Sequence, residues 1–181
     1  MNNQKNKYAV TNEWNALDFI FNKNEVAGLT WQGQRKAETN KNLVIPSSYH
    51  DKNTGKEIKI NSIGRLSFDF FEFDSVVIPE GVTVIKELAF SNSNVKEVQL
   101  PSTLKEIGYR AFSGNNIKEL SVPKGVTRID IEAFAWNSIE KLSLPETLSY
   151  LGDSAFCSNN LRNFEVPENI QYYGEDVFCG N

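Results

Sequence analysis

Five prolines recur at a constant interval of 22 residues, and this period limits what the chain can fold into. The prolines are Pro79, Pro101, Pro123, Pro145 and Pro167. Phenylalanines keep the same interval at Phe90, Phe112, Phe134, Phe156 and Phe178, with Phe68 one interval earlier. Such a period is typical of a solenoid, in which one repeat cannot bury its apolar residues alone and neighbouring repeats bury them together. The sequence therefore predicts a stack of similar turns in one continuous domain.

The apolar spacing inside a repeat predicts a short strand. Leu120 and Val122 alternate with polar residues, so both side chains point to one side of the strand. Pro123 ends the strand because proline cannot donate a hydrogen bond to a ladder. Val126 and Ile129 lie three residues apart and fit either a compact turn or a second short strand. We expect a β-rich solenoid with parallel strands about 4.8 Å apart.

Two further features of the repeat bear on its interior. Stacking places the repeated phenylalanines in one continuous internal column. Asparagine recurs at the same interval beyond the phenylalanine, at Asn115, Asn137, Asn159 and Asn181, and Ser93 takes the place of the first. An inward asparagine can hydrogen-bond the backbone of the next turn, so we expect a ladder of such bonds.

The repeat resembles the BspA-like leucine-rich repeats of bacterial and protist surface proteins. The segment "VKEVQLPSTLKEIGYRAF" (residues 95–112) carries the pattern, and the resemblance extends over residues 43–181. It implies a leucine-rich-repeat-like parallel stack and an extracellular location on the bacterial cell surface. It also implies adhesion or recognition, with host matrix proteins, other cells or glycans as ligands, and no catalysis.

We divide the chain into three parts of one structural domain. Residues 1–42 are predicted to be an N-terminal cap, with a hairpin in "LDFIFNKNEVAGLTW". Its apolar residues, expected to seal the first turn, are Phe19, Phe21, Val26, Leu29 and Trp31. Residues 43–72 form an irregular first repeat with an insertion loop, and residues 73–181 form five regular repeats, the last truncated. We expect the open C-terminal edge either to continue in a longer protein or to support end-to-end self-association.

Several functional classes are disfavoured. The net charge of −4 argues against nucleic acid, which is bound largely through Lys and Arg. No apolar run approaches the roughly 18 residues of a membrane span, so no membrane insertion is expected. The one histidine, His50, lies in the insertion without a nucleophile signature, and no phosphate-binding or calcium-loop motif occurs. We therefore predict no enzyme, no cofactor and no metal.

The two cysteines, Cys157 and Cys179, lie one period apart. Adjacent turns place their Cα atoms within the range of a disulfide. Side chains that project in parallel from neighbouring turns converge poorly, so we favour two free thiols, with a disulfide as the alternative.

The polar residues that flank the inward strand positions are the first candidates for ligand binding. They form two outward columns, with Glu97, Glu119, Lys141 and Asn163 in one and Gln99, Ser121, Ser143 and Glu165 in the other. Trp136 and Tyr109 are a second candidate, because exposed aromatic residues are enriched at binding hot spots. The competing interpretations are a merely solvated sheet face and aromatic rings packed over neighbouring turns. For the whole chain, the alternative to a recognition module is a rigid spacer or self-associating module.

Overall fold

The computed structural model describes residues 13–181, which wind into a parallel solenoid behind a small cap. The cap contains a 3-10 helix (Ala16–Asp18), strands β1 (Phe19–Asn22) and β2 (Glu25–Leu29), and helix α1 (Trp31–Thr39). Strand β3 (Asn42–Val44) begins the stack, and the insertion then forms an antiparallel hairpin of β4 (Ser48–Asp51) and β5 (Lys56–Lys59). The insertion is thus a hairpin rather than the loop that the sequence suggested.

Each later turn contributes a two-residue strand, and all but the last two also contribute a three-residue strand. In chain order these are β6 (Ser62–Ile63), β7 (Ser75–Val77), β8 (Val84–Ile85), β9 (Glu97–Gln99), β10 (Glu106–Ile107), β11 (Glu119–Ser121), β12 (Arg128–Ile129), β13 (Lys141–Ser143), β14 (Tyr150–Leu151) and β15 (Tyr172–Tyr173). We call β3, β7, β9, β11 and β13 the front strands. The two-residue strands β6, β8, β10, β12, β14 and β15 are the back strands. The segment with Val126 and Ile129, for which the sequence allowed either a compact turn or a strand, contains the short strand β12.

The back strands form one continuous parallel sheet that begins at the cap. The order is β1-β2-β6-β8-β10-β12-β14-β15, and β2 pairs in parallel with β6, with Val26 opposite Ile63. Phe19, Val26 and Leu29 are buried, so the predicted hairpin does seal the first turn. Trp31 was expected to join them, but it lies at the start of α1 with 71% of its surface exposed.

The front strands pair in register at the repeat interval, as with Leu120 opposite Leu142. They fall into two groups, β3-β7-β9 and β11-β13, and no strand ladder joins β9 to β11. A further front strand expected around Phe164 and Val166 does not form. Phe164 stands where other turns have Val or Leu, and its ring packs on Phe178 with centroids 4.5 Å apart. We attribute the lost strand to this larger ring.

The predicted phenylalanine column is confirmed as the centre of the core. Phe68, Phe90, Phe112, Phe134 and Phe156 have no exposed surface. Successive rings along this column are stacked, with centroids 5.0–5.4 Å apart. Each turn thus presents to the next an aromatic surface that neither turn buries alone.

The asparagine ladder is also confirmed, although it connects each turn to the preceding one. Asn115 Nδ2 donates to the carbonyl oxygen of Phe90 at 2.8 Å and to that of Phe112 at 2.9 Å. Its Oδ1 accepts from the amide of Val95 at 2.9 Å. These bonds satisfy backbone groups that would otherwise be buried without partners.

The cap is held by a buried ion pair. Lys36 Nζ lies 2.5 Å from Asp18 Oδ2 and also donates to the carbonyl oxygen of Glu13. Asp18 is fully buried and accepts further hydrogen bonds from Gln32 and from the amide of Asn15. Because a buried charge is costly unless it is paired and hydrogen-bonded, this network fixes α1 against the 3-10 helix.

The cysteine expectation was wrong: Cys157 and Cys179 form a disulfide. Their Cα atoms are 4.5 Å apart, which is within the range that a disulfide spans. Parallel projection therefore does not prevent convergence at this position. The disulfide joins two neighbouring turns of the stack.

Candidate functional site

The front strands carry the first candidate surface. All eight predicted outward residues are exposed: Glu97, Gln99, Glu119, Ser121, Lys141, Ser143, Asn163 and Glu165. Six lie on β9, β11 and β13, while Asn163 and Glu165 lie on the segment that forms no strand. The residues between them point inward, with Leu120, Val122 and Leu142 buried and Val98 half-buried. We call the outward side of the front strands the front face.

The front face is mostly polar, and one exposed ion pair, between Lys141 and Glu119, joins two of its charged side chains. Lys141 Nζ donates to Glu119 Oε1 at 2.6 Å, and this hydrogen bond raises the pKa of Lys141. Both side chains are largely exposed, so the pair adds little to stability. Glu97 makes no ion pair within residues 13–181, so its carboxylate remains available to a ligand.

A shallow hollow lies where the front strands separate. It encloses about 580 Å³ and is lined by Val98, Leu100 and Leu120 together with the exposed Glu119 and Lys141. Of these apolar side chains Leu120 is buried, while Val98 and Leu100 are half-buried, unlike their buried counterparts Val76 and Ile78 in the preceding turn. The front face thus combines a polar rim with a partly apolar floor, as protein-binding surfaces do.

The area of the front face limits what it can bind alone. Five strands about 4.8 Å apart, each three residues long, make a patch of roughly 24 Å by 10 Å. A stable protein interface buries about 800 Å² on each partner. The front face is smaller than this, so tight binding of a protein needs either neighbouring loops or several copies of the module.

Trp136 and Tyr109 lie outside the front strands, and one arginine brings them together. The guanidinium of Arg110 is 5.1 Å from the ring centroid of Tyr109 and 5.6 Å from that of Trp136. Arg110 Nε also donates to Glu132 Oε2 at 2.5 Å. Tyr109 is half-buried and Trp136 is exposed, so the two predicted residues form one cation–π cluster.

Two features of this region were missed in the sequence: the exposure of Phe70 and the stacking of Arg128 on Tyr150. Phe70 is 76% exposed, the highest value among the large apolar residues of the described chain. Arg128 stacks on Tyr150, and Tyr150 stacks on Tyr172 with centroids 4.5 Å apart. The signal for Phe70 is the repeat itself, because Phe70 lies one interval before Asn92 in the column of Trp136.

The single histidine of the chain lies on the surface of the insertion hairpin. His50 is exposed on β4, with Glu57 opposite it on β5. Within residues 13–181 no three His, Cys, Asp or Glu side chains are grouped as metal ligands. In the same range no helix combines the length and the hydrophobicity needed to cross a bilayer.

Solved structures share this fold. The pneumococcal vaccine antigen PcpA superposes with a TM-score of 0.67 and 20% identity, over 89% of this chain and 44% of that one. A leucine-rich repeat protein of T. pallidum superposes with a TM-score of 0.65 and 20% identity, over 93% of this chain and 88% of that one. A leucine rich cell surface protein of Faecalibacterium prausnitzii superposes with a TM-score of 0.59 and 22% identity, over 90% of this chain and 50% of that one. This chain thus spans only about half the length of two of these relatives.

Sequence comparison identifies the repeat more directly. No curated protein sequence matches the chain significantly. The family profile described as "BspA type Leucine rich repeat region" matches six copies over residues 61–181. This match covers most of the chain and coincides with the stacked turns described above. The chain therefore belongs to the BspA-type leucine-rich repeat family.

Proposed function

We propose that this chain is a non-catalytic recognition module of a bacterial cell-surface protein, and that it binds a protein or glycan ligand through the front face. The observation that carries the proposal is the set of eight exposed side chains in two columns, of which six stand on paired strands. The six side chains on strands stand over a buried core, which holds them in place. A preorganised surface loses little conformational entropy when a ligand binds.

Two observations support a location outside the cell. The Faecalibacterium relative is described as a cell surface protein and PcpA as a vaccine antigen. The disulfide between Cys157 and Cys179 is a bond that persists in oxidising compartments and is rare in the cytosol. We therefore place the module on the cell surface, with host matrix proteins and glycans as the candidate ligands.

The small area of the front face sets the expected strength of binding. One module buries too little surface for a tight protein complex, so we expect weak binding by a single copy. Many copies on one cell would raise the apparent affinity by about 10² to 10⁴ through effective concentration. Weak single-site binding with strong cell attachment is the expected behaviour of the module.

A binding screen tests this function. The purified chain, as a monomer and as a multivalent display on beads, is passed over immobilised matrix proteins and a glycan panel. We expect a saturable hit that is much stronger for the multivalent form. If neither form binds and both stay folded, recognition is rejected in favour of a structural spacer or a self-associating module.

A further inference from the structure

A groove on another side of the solenoid has the features of a second binding site. It encloses about 380 Å³ and has Phe70 and Trp136 among its lining residues. None of its lining residues belongs to the front strands, so the inference does not rest on the front-face proposal. We call it the Phe70–Trp136 groove.

The backbone at both aromatic residues is unusual. Phe70 has φ 59° and Trp136 has φ 53°, in the left-handed region that bulky residues rarely adopt. Their column also holds Asn92, Gly114, Ser158 and Gly180, all with positive φ, and Asn and Gly tolerate this conformation most readily. Phe70 and Trp136 are 76% and 50% exposed, so the packing of their side chains contributes little stability to offset this conformation. The fold imposes this conformation at the same position in every turn from Phe70 onward, so neither the backbone nor the packing requires a large ring at Phe70 or Trp136.

The small residues of the column keep the groove open between the two rings. Asn92 and Gly114 occupy the two turns that separate Phe70 from Trp136. A Cβ atom at Gly114 would collide with Asn92 Oδ1, so a larger residue there would displace the amide. The two aromatic residues are three repeat intervals apart, a distance of about 14 Å along the stack. The groove therefore suits an extended ligand with two separate flat apolar faces.

The polar groups of the groove favour a ligand that carries hydroxyls and no net charge. Arg110 is paired with Glu132, and its guanidinium lies against the Trp136 ring, so its charge is already compensated. Asp69 Oδ1 is buried and has no hydrogen-bond partner within the described chain. Burial raises the pKa of Asp69, and the neighbouring Ser91 and Asn92 side chains offset part of that effect. An anionic ligand would meet the Asp69 carboxylate beside a cation, Arg110, whose charge Glu132 already compensates.

We propose that the Phe70–Trp136 groove binds a neutral linear oligosaccharide. The apolar faces of two sugar rings stack on Phe70 and Trp136, and the sugars between them lie over Asn92 and Gly114. Their hydroxyls exchange hydrogen bonds with the amide of Asn92 and the guanidinium of Arg110, which offer donors and acceptors together. A proline-rich peptide also docks on aromatic grooves but uses few such polar groups, so the groove favours the sugar.

Calorimetric titration of the whole chain tests this proposal. The probes are cellohexaose, chitohexaose, maltohexaose and mannohexaose, with a decaproline peptide as the alternative ligand. The groove variants are Phe70→Asn and Trp136→Gly, which place residues already found in this column. The control is Trp31→Ala. Trp31 is an exposed tryptophan on α1 that does not line the groove, and its ring centroid lies 5.0 Å from the guanidinium of Arg35. Circular dichroism and the urea midpoint report folding.

We expect at least one hexasaccharide to bind saturably, each groove variant to weaken it at least tenfold, and Trp31→Ala to change it less than twofold. The proposal is overturned if the folded chain binds none of the four sugars at millimolar concentration. It is equally overturned if the groove variants bind sugar normally. Binding of decaproline at the groove in place of the sugars would reassign the groove to a peptide.

Discussion

Asn137 Nδ2 donates to the carbonyl oxygen of Phe112, in the preceding turn, at 2.8 Å. The same oxygen accepts from Asn115 of its own turn at 2.9 Å, so both of its lone pairs are used. Phe134 repeats the arrangement with Asn137 and Asn159. One buried side chain per turn thus ties adjacent turns together beside the stacked rings, and the rigidity of the front face depends on it.

Removal of one asparagine should destabilise the stack. In Asn137→Ala each phenylalanine carbonyl keeps one donor, but the amide of Ile117 loses its only acceptor in the ladder, Asn137 Oδ1 at 3.1 Å. We expect the free energy of unfolding in urea to fall by about 2–3 kcal/mol. The control is Asn116→Ala, an exposed asparagine that donates to Asn94, and it should stay within about 0.5 kcal/mol of wild type. Equal losses for the two variants would contradict the ladder.

The loss of unfolding free energy on replacing a phenylalanine of the column by alanine should be larger where the ring is more deeply buried. Phe134 is fully buried between Phe112 and Phe156, so Phe134→Ala should lower the free energy of unfolding by about 3–5 kcal/mol. Phe178 is only half-buried, and Phe178→Ala should cost clearly less. Urea unfolding of both variants measures the difference. A larger loss at Phe178 would mean that the column is not the main source of stability.

Replacement by glycine should change the free energy of unfolding in opposite directions at two serines, one with positive φ and one without. Ser158 has φ 56°, so Ser158→Gly should keep or raise the free energy of unfolding, by up to about 1 kcal/mol. Ser138 does not have a positive φ, so Ser138→Gly should lower it by about 0.5–1 kcal/mol. Thermal or urea unfolding of the pair gives the sign directly, and losses of similar size at both serines would refute the assigned backbone.

The disulfide should stabilise the last two turns. Cys157 and Cys179 close a loop of 22 residues, for which the loss of chain entropy in the unfolded state amounts to about 3 kcal/mol. Cys157→Ser/Cys179→Ser should unfold at lower urea, and hydrogen exchange should rise first in residues 157–179. Mass spectrometry of the native chain checks the bond itself. Two free thiols in an oxidising buffer would contradict it.

The repeat predicts the fold well because one turn's side-chain directions recur in every other turn. Phe134, Asn137 and the outward residues of β11 all lie where the period places them. The period carries less information about single turns that depart from it. Phe164 takes the place of a smaller residue in a turn that has no front strand, and Trp31 starts a helix instead of sealing the core.

The candidate sites divide in the same way. The front face follows from alternation along a strand, so its residues could be predicted. The Phe70–Trp136 groove depends on left-handed backbone at two positions and on the exposure of Phe70. Neither property has a signal in residue type alone. Likewise, the convergence of Cys157 and Cys179 depends on how the two turns stack.

The ratio of two dissociation constants tests the front face most directly. The best ligand of the screen is titrated with wild type and with Glu97→Ala/Glu119→Ala, which removes two exposed carboxylates of that face. The control, Glu38→Ala/Glu106→Ala, removes two exposed carboxylates elsewhere. We predict that the front-face variant stays folded and binds at least tenfold more weakly, while the control matches wild type. An unchanged dissociation constant for the folded front-face variant would contradict the assignment of recognition to this surface.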